Sequence, residues 1–440
     1  MSGELRIALA GLGTVGGGVI RLLEENGDLI AARAGRPIRI TAICARDRGK
    51  DRGVDLSPYA WEDDMTVLPM RDDVDTVVEL VGGADGPALA LARRTLAAGK
   101  GLVTANKAMV AHHGMELAEA AERAGVALRL EAAVAGGIPL IKGLAEGAAA
   151  NVITGIYGIL NGTCNYVLST MEATGADFGD VLREAQELGY AESDPTFDVE
   201  GVDAAHKLAI TAAIAFGTRI DFPAVDTQGI SAIRAADIAQ AAALGYVIRL
   251  IGLADTDTGP DGERRLFQRV APYLVARTHP LASVDGPTNA VVAEGNFVGR
   301  LLFEGAGAGD GPTASAVAAD LIDIARGACV PPFSVPAAAL VQAAPADPGD
   351  RLNRSYLRFM VADRPGVLAQ ITAAMRDAGV SIESFIQQGP GGSRRADENG
   401  QVLVAMVTHE APESAVAQAV TLLEGAPDIA EPPLVMRLLD

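Results

Sequence analysis

The chain has 440 residues, long enough for two or three domains, and 49% of them are apolar, which suffices for sizeable cores. A formal net charge of −20 argues against binding to nucleic acid or to an anionic membrane surface. No basic segment followed by an apolar stretch opens the sequence and no uninterrupted apolar run reaches ~18 residues, so a cytoplasmic protein with no membrane partner is expected.

Leu5 to Ala10 reads as an apolar strand that runs into Gly11, Gly13 and Gly16 and then into an amphipathic helix. This spacing in this context is a dinucleotide fingerprint. Gly11 permits the tight turn, Gly13 lets the backbone approach a pyrophosphate, and Gly16 lets the helix pack against the strand, with Thr14 and Val15 at the helix N-terminus. A second strand, Ile38 to Cys44, ends in Ala45-Arg46-Asp47-Arg48-Gly49-Lys50. Arg46 at this strand end favours the 2′-phosphate of NADP, and Asp47 keeps NAD open. The strand Asp75 to Val81 ends in Gly82-Gly83, and Gly101 to Thr104 leads into Ala105-Asn106-Lys107. In an open parallel sheet ligands sit outside the carboxyl ends of the strands, so Gly82, Thr104 and Lys107 are candidate cofactor contacts. Strand and helix signals alternate over residues 1–135, which are expected to form a Rossmann-like parallel sheet.

A second domain is expected over 136–311, with strands at Ile153 to Leu160, Tyr246 to Leu253, Leu266 to Leu274 and Asn289 to Phe303, and helices at 178–188, 202–216 and 235–243. Its fold class is an α+β mixed sheet. Asn161-Gly162-Thr163 is a turn suited to presenting amides and a hydroxyl to a small ligand. A second glycine-rich turn, Gly305 to Gly311, includes Gly309 as a further candidate cofactor contact. The apolar helix after it, at about 312–334, is expected to return to the first domain. Within 185–207, Glu192, Asp194, Asp198, Asp203 and Lys207 gather around a turn leading into a helix. Asp203 and Lys207 share a helix face, where a carboxylate can orient an ammonium; taken alone, an exposed ion pair on a solvated helix is the better description, and the rest of the chain reverses that.

Cys44, Cys164 and Cys329 show no paired spacing and read as buried free thiols, so neither disulfides nor zinc is expected. His112, His113, His206, His279 and His409 show no metal-ligand spacing, and His206 reads as packing or surface because its side chain points about 100° from that of Lys207. No serine or cysteine nucleophile motif is present. Residues 335–353, rich in Pro, Ala and Asp, mark a linker. Residues 354–440 then read as strand, helix, strand, strand, helix, strand, a ferredoxin-like order with a glycine-rich hairpin between its second and third strands.

These residues carry a resemblance. The pattern from Ala185 through Gly189-Tyr190-Ala191, Asp194-Pro195, Asp198-Val199 and Gly201 to Asp203 and Lys207 resembles homoserine dehydrogenase, in its longer form with a C-terminal ACT domain. Thr104-Ala105-Asn106-Lys107, Asn161-Gly162-Thr163 and the PTASAV segment support the resemblance, which covers the chain essentially end to end. With no kinase-like segment before the fingerprint, the monofunctional arrangement is expected. The resemblance implies reversible reduction of L-aspartate 4-semialdehyde to L-homoserine with NAD(P)H, in the biosynthesis of threonine, methionine and isoleucine. It makes Lys107 and Lys207 the catalytic lysines, with Lys207 the favoured proton donor. It implies that Glu192 and Asp203 hold the substrate ammonium, and that Tyr190, Gly162, Thr163 and Asp198 line the pocket. It further implies a monovalent cation, typically sodium, held mainly by carbonyls of Glu131, Val134, Gly136 and Ile138, although that stretch reads equally as a turn with no ion. The DRPGV loop, with Asp363, Gly366 and Val367, resembles an ACT ligand loop. Threonine is the expected effector, with an ACT domain kept only for oligomerisation as the alternative, and a homodimer or homotetramer is expected. A dehydrogenase of phosphorylated hydroxy acids is disfavoured by the 185–207 motif. A non-catalytic nucleotide and amino-acid sensor is disfavoured because it has no need of Lys107, Glu192, Asp203 and Lys207 together.

Overall fold

In the computed structural model, which describes residues 3–259, 261–388 and 400–440, the N-terminal region forms a six-stranded sheet whose neighbouring strands are all parallel. In spatial order the strands are Ala60–Glu62, Ile38–Cys44, Leu5–Ala10, Thr76–Glu79, Gly101–Thr104 and Leu128–Arg129. The order reverses beside Leu5–Ala10, so the crevice at the carboxyl end of that strand is where a ligand is expected. Helices cover both faces, and the strands are accordingly near-continuous apolar runs, with Ile7, Leu9, Ile43, Val77 and Val78 fully buried. Ala60–Glu62 and Leu128–Arg129, with three and two residues, are too short to show a period in sequence.

Helix Thr14–Glu25 follows the first strand, and helix Asp310–Ala325 packs against it. The approach is close because Gly18 lacks a side chain: a Cβ there would stand 2.7 Å from the Asp310 carbonyl oxygen. Val317 and Leu321 return apolar side chains to the core built by Val19 and Ile20. The returning helix is shorter than the 312–334 expected, because Gly327 at φ +86° and the Pro331-Pro332 pair do not continue a helix.

The second sheet runs, in spatial order, through Gly299–Ala306, Thr288–Gly295, Ile153–Ile159, Tyr246–Thr258, Arg264–Ala276, Leu434–Leu439, Ser355–Ala362, Gln401–Thr408 and Ile382–Gln388. The single strand expected over Asn289 to Phe303 is a hairpin turning at 296–298. The C-terminal module has the ferredoxin-like order. Its strand Leu434–Leu439 pairs in parallel with Arg264–Ala276, so the module extends the middle sheet rather than standing apart from it. The glycine-rich hairpin of that module lies in large part outside the described residues.

Buried polar contacts seal this junction. Asp237, fully buried, accepts from the Tyr356 hydroxyl and from the Arg358 guanidinium. Glu413 accepts from Arg269, Arg437 and Asn353. The segment 335–353, expected to be a linker, is anchored. Ala337, Leu340 and Ala343 are buried, Ala344–Pro345 pairs with Arg265 and Leu266, and Arg351 grips Asp255 with two hydrogen bonds. Among the described residues no helix is long and apolar enough to cross a membrane.

Candidate active site

The glycine loop is built for close approach. Gly11 holds φ +98°, and a Cβ there would stand 2.5 Å from the Leu80 carbonyl oxygen; one on Gly16 would stand 2.2 Å from the Gly11 carbonyl oxygen. Gly13, by contrast, has open space where its Cβ would be. Thr14 opens the helix on that open side, with the orphan amides of its first turn available to an anion. The residues present therefore fit a dinucleotide.

Arg46 is exposed at the end of its strand. The structure adds Arg52, whose guanidinium donates to the Leu12 and Asp47 carbonyls and so ties the loop after Cys44 to the glycine loop. Arg48 lies over the Trp61 ring at 5.7 Å. Spacing in sequence does not reveal either contact, because both join segments brought together only by the sheet. At the next strand end, the fully buried Glu79 accepts from the amides of Val81 and Gly82 and from the Thr104 hydroxyl. Thr104, a candidate cofactor contact, has its hydroxyl on Glu79. Its side chain faces inward because a buried carboxylate needs donors, and its part is to hold the Gly82 loop. Gly309, at φ +120°, precedes the helix that packs on Thr14–Glu25.

Three side chains meet at the mouth between the two sheets. Lys107, the first residue of helix Lys107–Ala124, reaches Asp203 Oδ1 at 2.8 Å. Lys207, one turn after Asp203 on helix Val202–Phe216, reaches Oδ2 at 2.7 Å and also donates to the Leu160 carbonyl at 2.8 Å. Burial alone would raise the carboxyl of Asp203; the ammoniums of Lys207 and Lys107 outweigh it and hold the group well below the usual carboxylate range. Burial alone would lower Lys107; Asp203 outweighs that and holds the lysine above its ordinary value.

The Asn161-Gly162-Thr163 turn fits around this centre. Asn161 caps helix Gly162–Thr174 through its side-chain oxygen and donates at 2.8 Å to both Asp198 and Asp203. Thr163 donates to the Tyr190 carbonyl and approaches Asp198 at 3.3 Å, while a Cβ on Gly162 would stand 2.6 Å from the Pro287 carbonyl oxygen. Burial, then Asp203, pushes the Asp198 carboxyl up. Tyr190 packs against Tyr166 with ring centres 4.7 Å apart, and Glu192 is exposed within electrostatic reach of Lys107. Sequence reading did not foresee Asn289, which donates to the Leu160 carbonyl beside Lys207, or Phe197, whose ring lies 5.8 Å from the Lys107 ammonium. Phe197 lies inside the 185–207 cluster, so its place was signalled. Asn289 had no signal.

After strand Leu128–Arg129, the Glu131 carboxylate accepts the amides of Ile141 and Lys142, and burial, then Asp320, pushes it up to about 7. Gly136, at φ +57°, packs against Gly307. The carbonyls of Glu131 and Ile138 accept the backbone amides of Val134 and Leu140. Among the described residues no cluster of three or more His, Cys, Asp or Glu side chains could hold a metal ion. Cys44 and Cys164 are buried as expected; Cys329 is exposed, because the returning helix ends before it. In the C-terminal module Gly366 holds φ +100° before helix Val367–Asp377, Asp363 accepts from Gln387, and Val367 turns into the module's own core.

The profile described as homoserine dehydrogenase matches residues 139–322, that of the homoserine dehydrogenase NAD-binding domain residues 11–131, and that of the ACT domain residues 355–421. The chain is 45% identical to the homoserine dehydrogenase of Neisseria gonorrhoeae over 98% of both chains, and 43% identical to that of Corynebacterium glutamicum over 98% of this chain and 95% of the relative. The crystal structure of a homoserine dehydrogenase from Thiobacillus denitrificans superposes with a TM-score of 0.90 at 41% identity, over 99% of this chain and 98% of that one. With lysines from two helices meeting on one carboxylate beside a dinucleotide loop, and with relatives matched from end to end, this chain belongs to the homoserine dehydrogenase family.

Proposed function

We propose that the chain interconverts L-aspartate 4-semialdehyde and L-homoserine with NADP as the favoured cofactor, and that Lys207 and Lys107 act on the reacting oxygen. The observation that carries this reading is the single carboxylate of Asp203 shared by both ammoniums. A bound nicotinamide would supply the hydride for the aldehyde carbon, or accept it from homoserine in the reverse direction. Negative charge then builds on the carbonyl oxygen. Lys207 has two of its three N–H bonds committed, to Leu160 and Asp203, and the third is left to stabilise and protonate that oxygen. Lys107 supplies a second ammonium. Asp203, with Asn161, Lys107 and Lys207 already on its oxygens, orients the lysines, and Glu192 and Asp198 are the carboxylates left to meet the substrate ammonium.

Arg46 supports NADP over NAD. Threonine is proposed as effector at Asp363 and the Gly366 turn, where amides opening a helix of 11 residues suit an amino-acid carboxylate. The outer strands Gly299–Ala306 and Ile382–Gln388 are unpaired edges of the sheet, which suits a homodimer or homotetramer. A monovalent cation on carbonyls of Glu131, Val134, Gly136 and Ile138 would steady the hinge and takes no part in the chemistry. The test is nicotinamide absorbance during oxidation of L-homoserine with NADP and with NAD, with and without threonine, for wild type and Lys207→Ala. Turnover should fall about 10²–10⁴-fold in the variant. A wild type silent with both cofactors would overturn the reading.

A further inference from the structure

His206 adjoins Lys207 on helix Val202–Phe216, but neighbouring side chains on a helix diverge by about 100°, and its ring leaves toward helix Lys107–Ala124. There His206 Nε2 comes within 3.4 Å of His112 Nε2, with the ring centres 5.3 Å apart in an edge-on arrangement. Phe222 packs on the His206 ring at 4.3 Å, and Phe197 at 5.5 Å. Phe197 also lies beneath the Lys107 ammonium. The aromatic cluster therefore begins where the lysine site ends.

Within their packing, the two lysine-bearing helices thus share two polar contacts, one between Lys107 and Asp203 and one between His112 and His206. The contacts are five residues apart on one helix and three on the other, which at 1.5 Å per residue separates them by roughly 7 Å and 4 Å. A single contact would leave the helices free to swivel about it. Two such contacts set their crossing angle.

The polar part of the second contact is directional. His206 is 3% exposed and its Nδ1 has no partner, whereas His112 is exposed. Orphaned buried donors are rarer than orphaned acceptors, so we assign the proton of His206 to Nε2, donating to His112. The groups facing His206 are His112 and Lys107 from the neighbouring helix, Asp203 from its own, and the rings of Phe197 and Phe222. Burial, with His112 and Lys107 adding to it and Asp203 opposing, lowers the ring to about 4, so it is neutral across the neutral range.

We infer that His206 and His112 are positioning residues for the reaction: their contact, clamped between Phe197 and Phe222, fixes the crossing of the two helices and hence the placement of Lys107 and Lys207 around Asp203. This rests on the dehydrogenase reading above. Proximity and orientation are steep functions of distance, so a loosened crossing costs turnover without removing any reacting group.

The experiment measures homoserine oxidation by the full chain as wild type, Lys207→Ala, His206→Phe, His206→Gln, His112→Ala and the His206→Phe/His112→Ala double variant, with thermal unfolding of each. His206→Phe and His112→Ala should each lower kcat about tenfold with KM for homoserine and the unfolding midpoint near wild type. The double variant should lose no more than the worse single one, since both remove the same contact, and His206→Gln, which keeps an N–H, should recover most of the loss. Single variants within about twofold of wild-type kcat, or losses that multiply in the double variant, would overturn the inference. If His206→Phe fails to fold, His112→Ala decides alone, because that side chain is exposed. A silent wild type overturns the dehydrogenase reading and this inference with it. An active wild type, a dead Lys207→Ala and normal histidine variants overturn only the inference.

Discussion

Lys107 and Asp203 form a 2.8 Å ion pair between helices Lys107–Ala124 and Val202–Phe216, so one carboxylate joins residues far apart in the chain. Lys207 takes the other oxygen of the same group. The pairing holds Lys107 above its ordinary value, so its contribution to stability is present below the unfolded lysine pKa of about 10.4 and is lost as pH rises through the higher folded value.

Asp203→Asn removes the charge that opposes burial. Lys107 should then lose its proton at lower pH than in wild type, because desolvation acts unopposed. The expected result is turnover reduced about 10²-fold or more and an alkaline limb of aldehyde reduction displaced to lower pH. A pH–rate profile of kcat/KM checks this, and an unmoved limb would show that Asp203 does not set the lysine's charge.

The glycine loop separates folding from binding. Gly16→Ala places a methyl 2.2 Å from the Gly11 carbonyl, so the variant should unfold at markedly lower temperature. Gly13→Ala meets open space and has an ordinary φ of −79°, so its midpoint should match wild type while cofactor affinity drops about tenfold or more. Fluorescence titration of reduced cofactor alongside thermal unfolding distinguishes the two; equal effects of both substitutions would contradict the assigned roles.

Arg46 is exposed two residues beyond strand Ile38–Cys44. Arg46→Ala should raise KM for NADP about tenfold and leave KM for NAD within about twofold, since one charge-assisted contact to a phosphate is worth on the order of 1.5–3 kcal/mol. Initial rates with each cofactor measure the ratio, and a parallel change in both would move the phosphate site elsewhere, with Arg48 the next candidate.

The C-terminal module is held by a buried pair. Arg358→Ala leaves Asp237 in the interior without its cation, at a cost of about 3–5 kcal/mol. Replacing both, as Asp237→Leu with Arg358→Met, should cost less than the single change, because no charge is stranded. Denaturant unfolding of the three proteins decides it, and a double variant less stable than Arg358→Ala would mean that the Tyr356 hydrogen bond to Asp237 dominates the junction.

Local regularity made much of this legible. The parallel sheet appeared as apolar runs between glycine turns, the helix Val202–Phe216 appeared at its observed bounds, and the C-terminal element order followed from alternating periods. The strand at 289–303 was misread because the Asn296-Phe297-Val298 turn interrupts an apolar stretch at its own spacing. The segment 335–353 was misread because its Pro and Ala content suits a linker, although Leu340 and Ala343 find a core to dock on. That the Thr104 hydroxyl meets Glu79 was not legible, since nothing local announces the buried carboxylate opposite it.

What the sequence determined by itself was short-range: glycine spacing that dictates backbone approach, and a helix that places Asp203 and Lys207 one turn apart wherever it lies. What only the tertiary structure decided was convergence, namely Lys107 arriving at Asp203, Asn161 bridging Asp198 and Asp203, His112 meeting His206, and the last strand completing the middle sheet. The physical reason is that a helix or turn fixes its own geometry through neighbouring dihedrals. The meeting of distant side chains depends on how whole cores pack, which no local spacing contains.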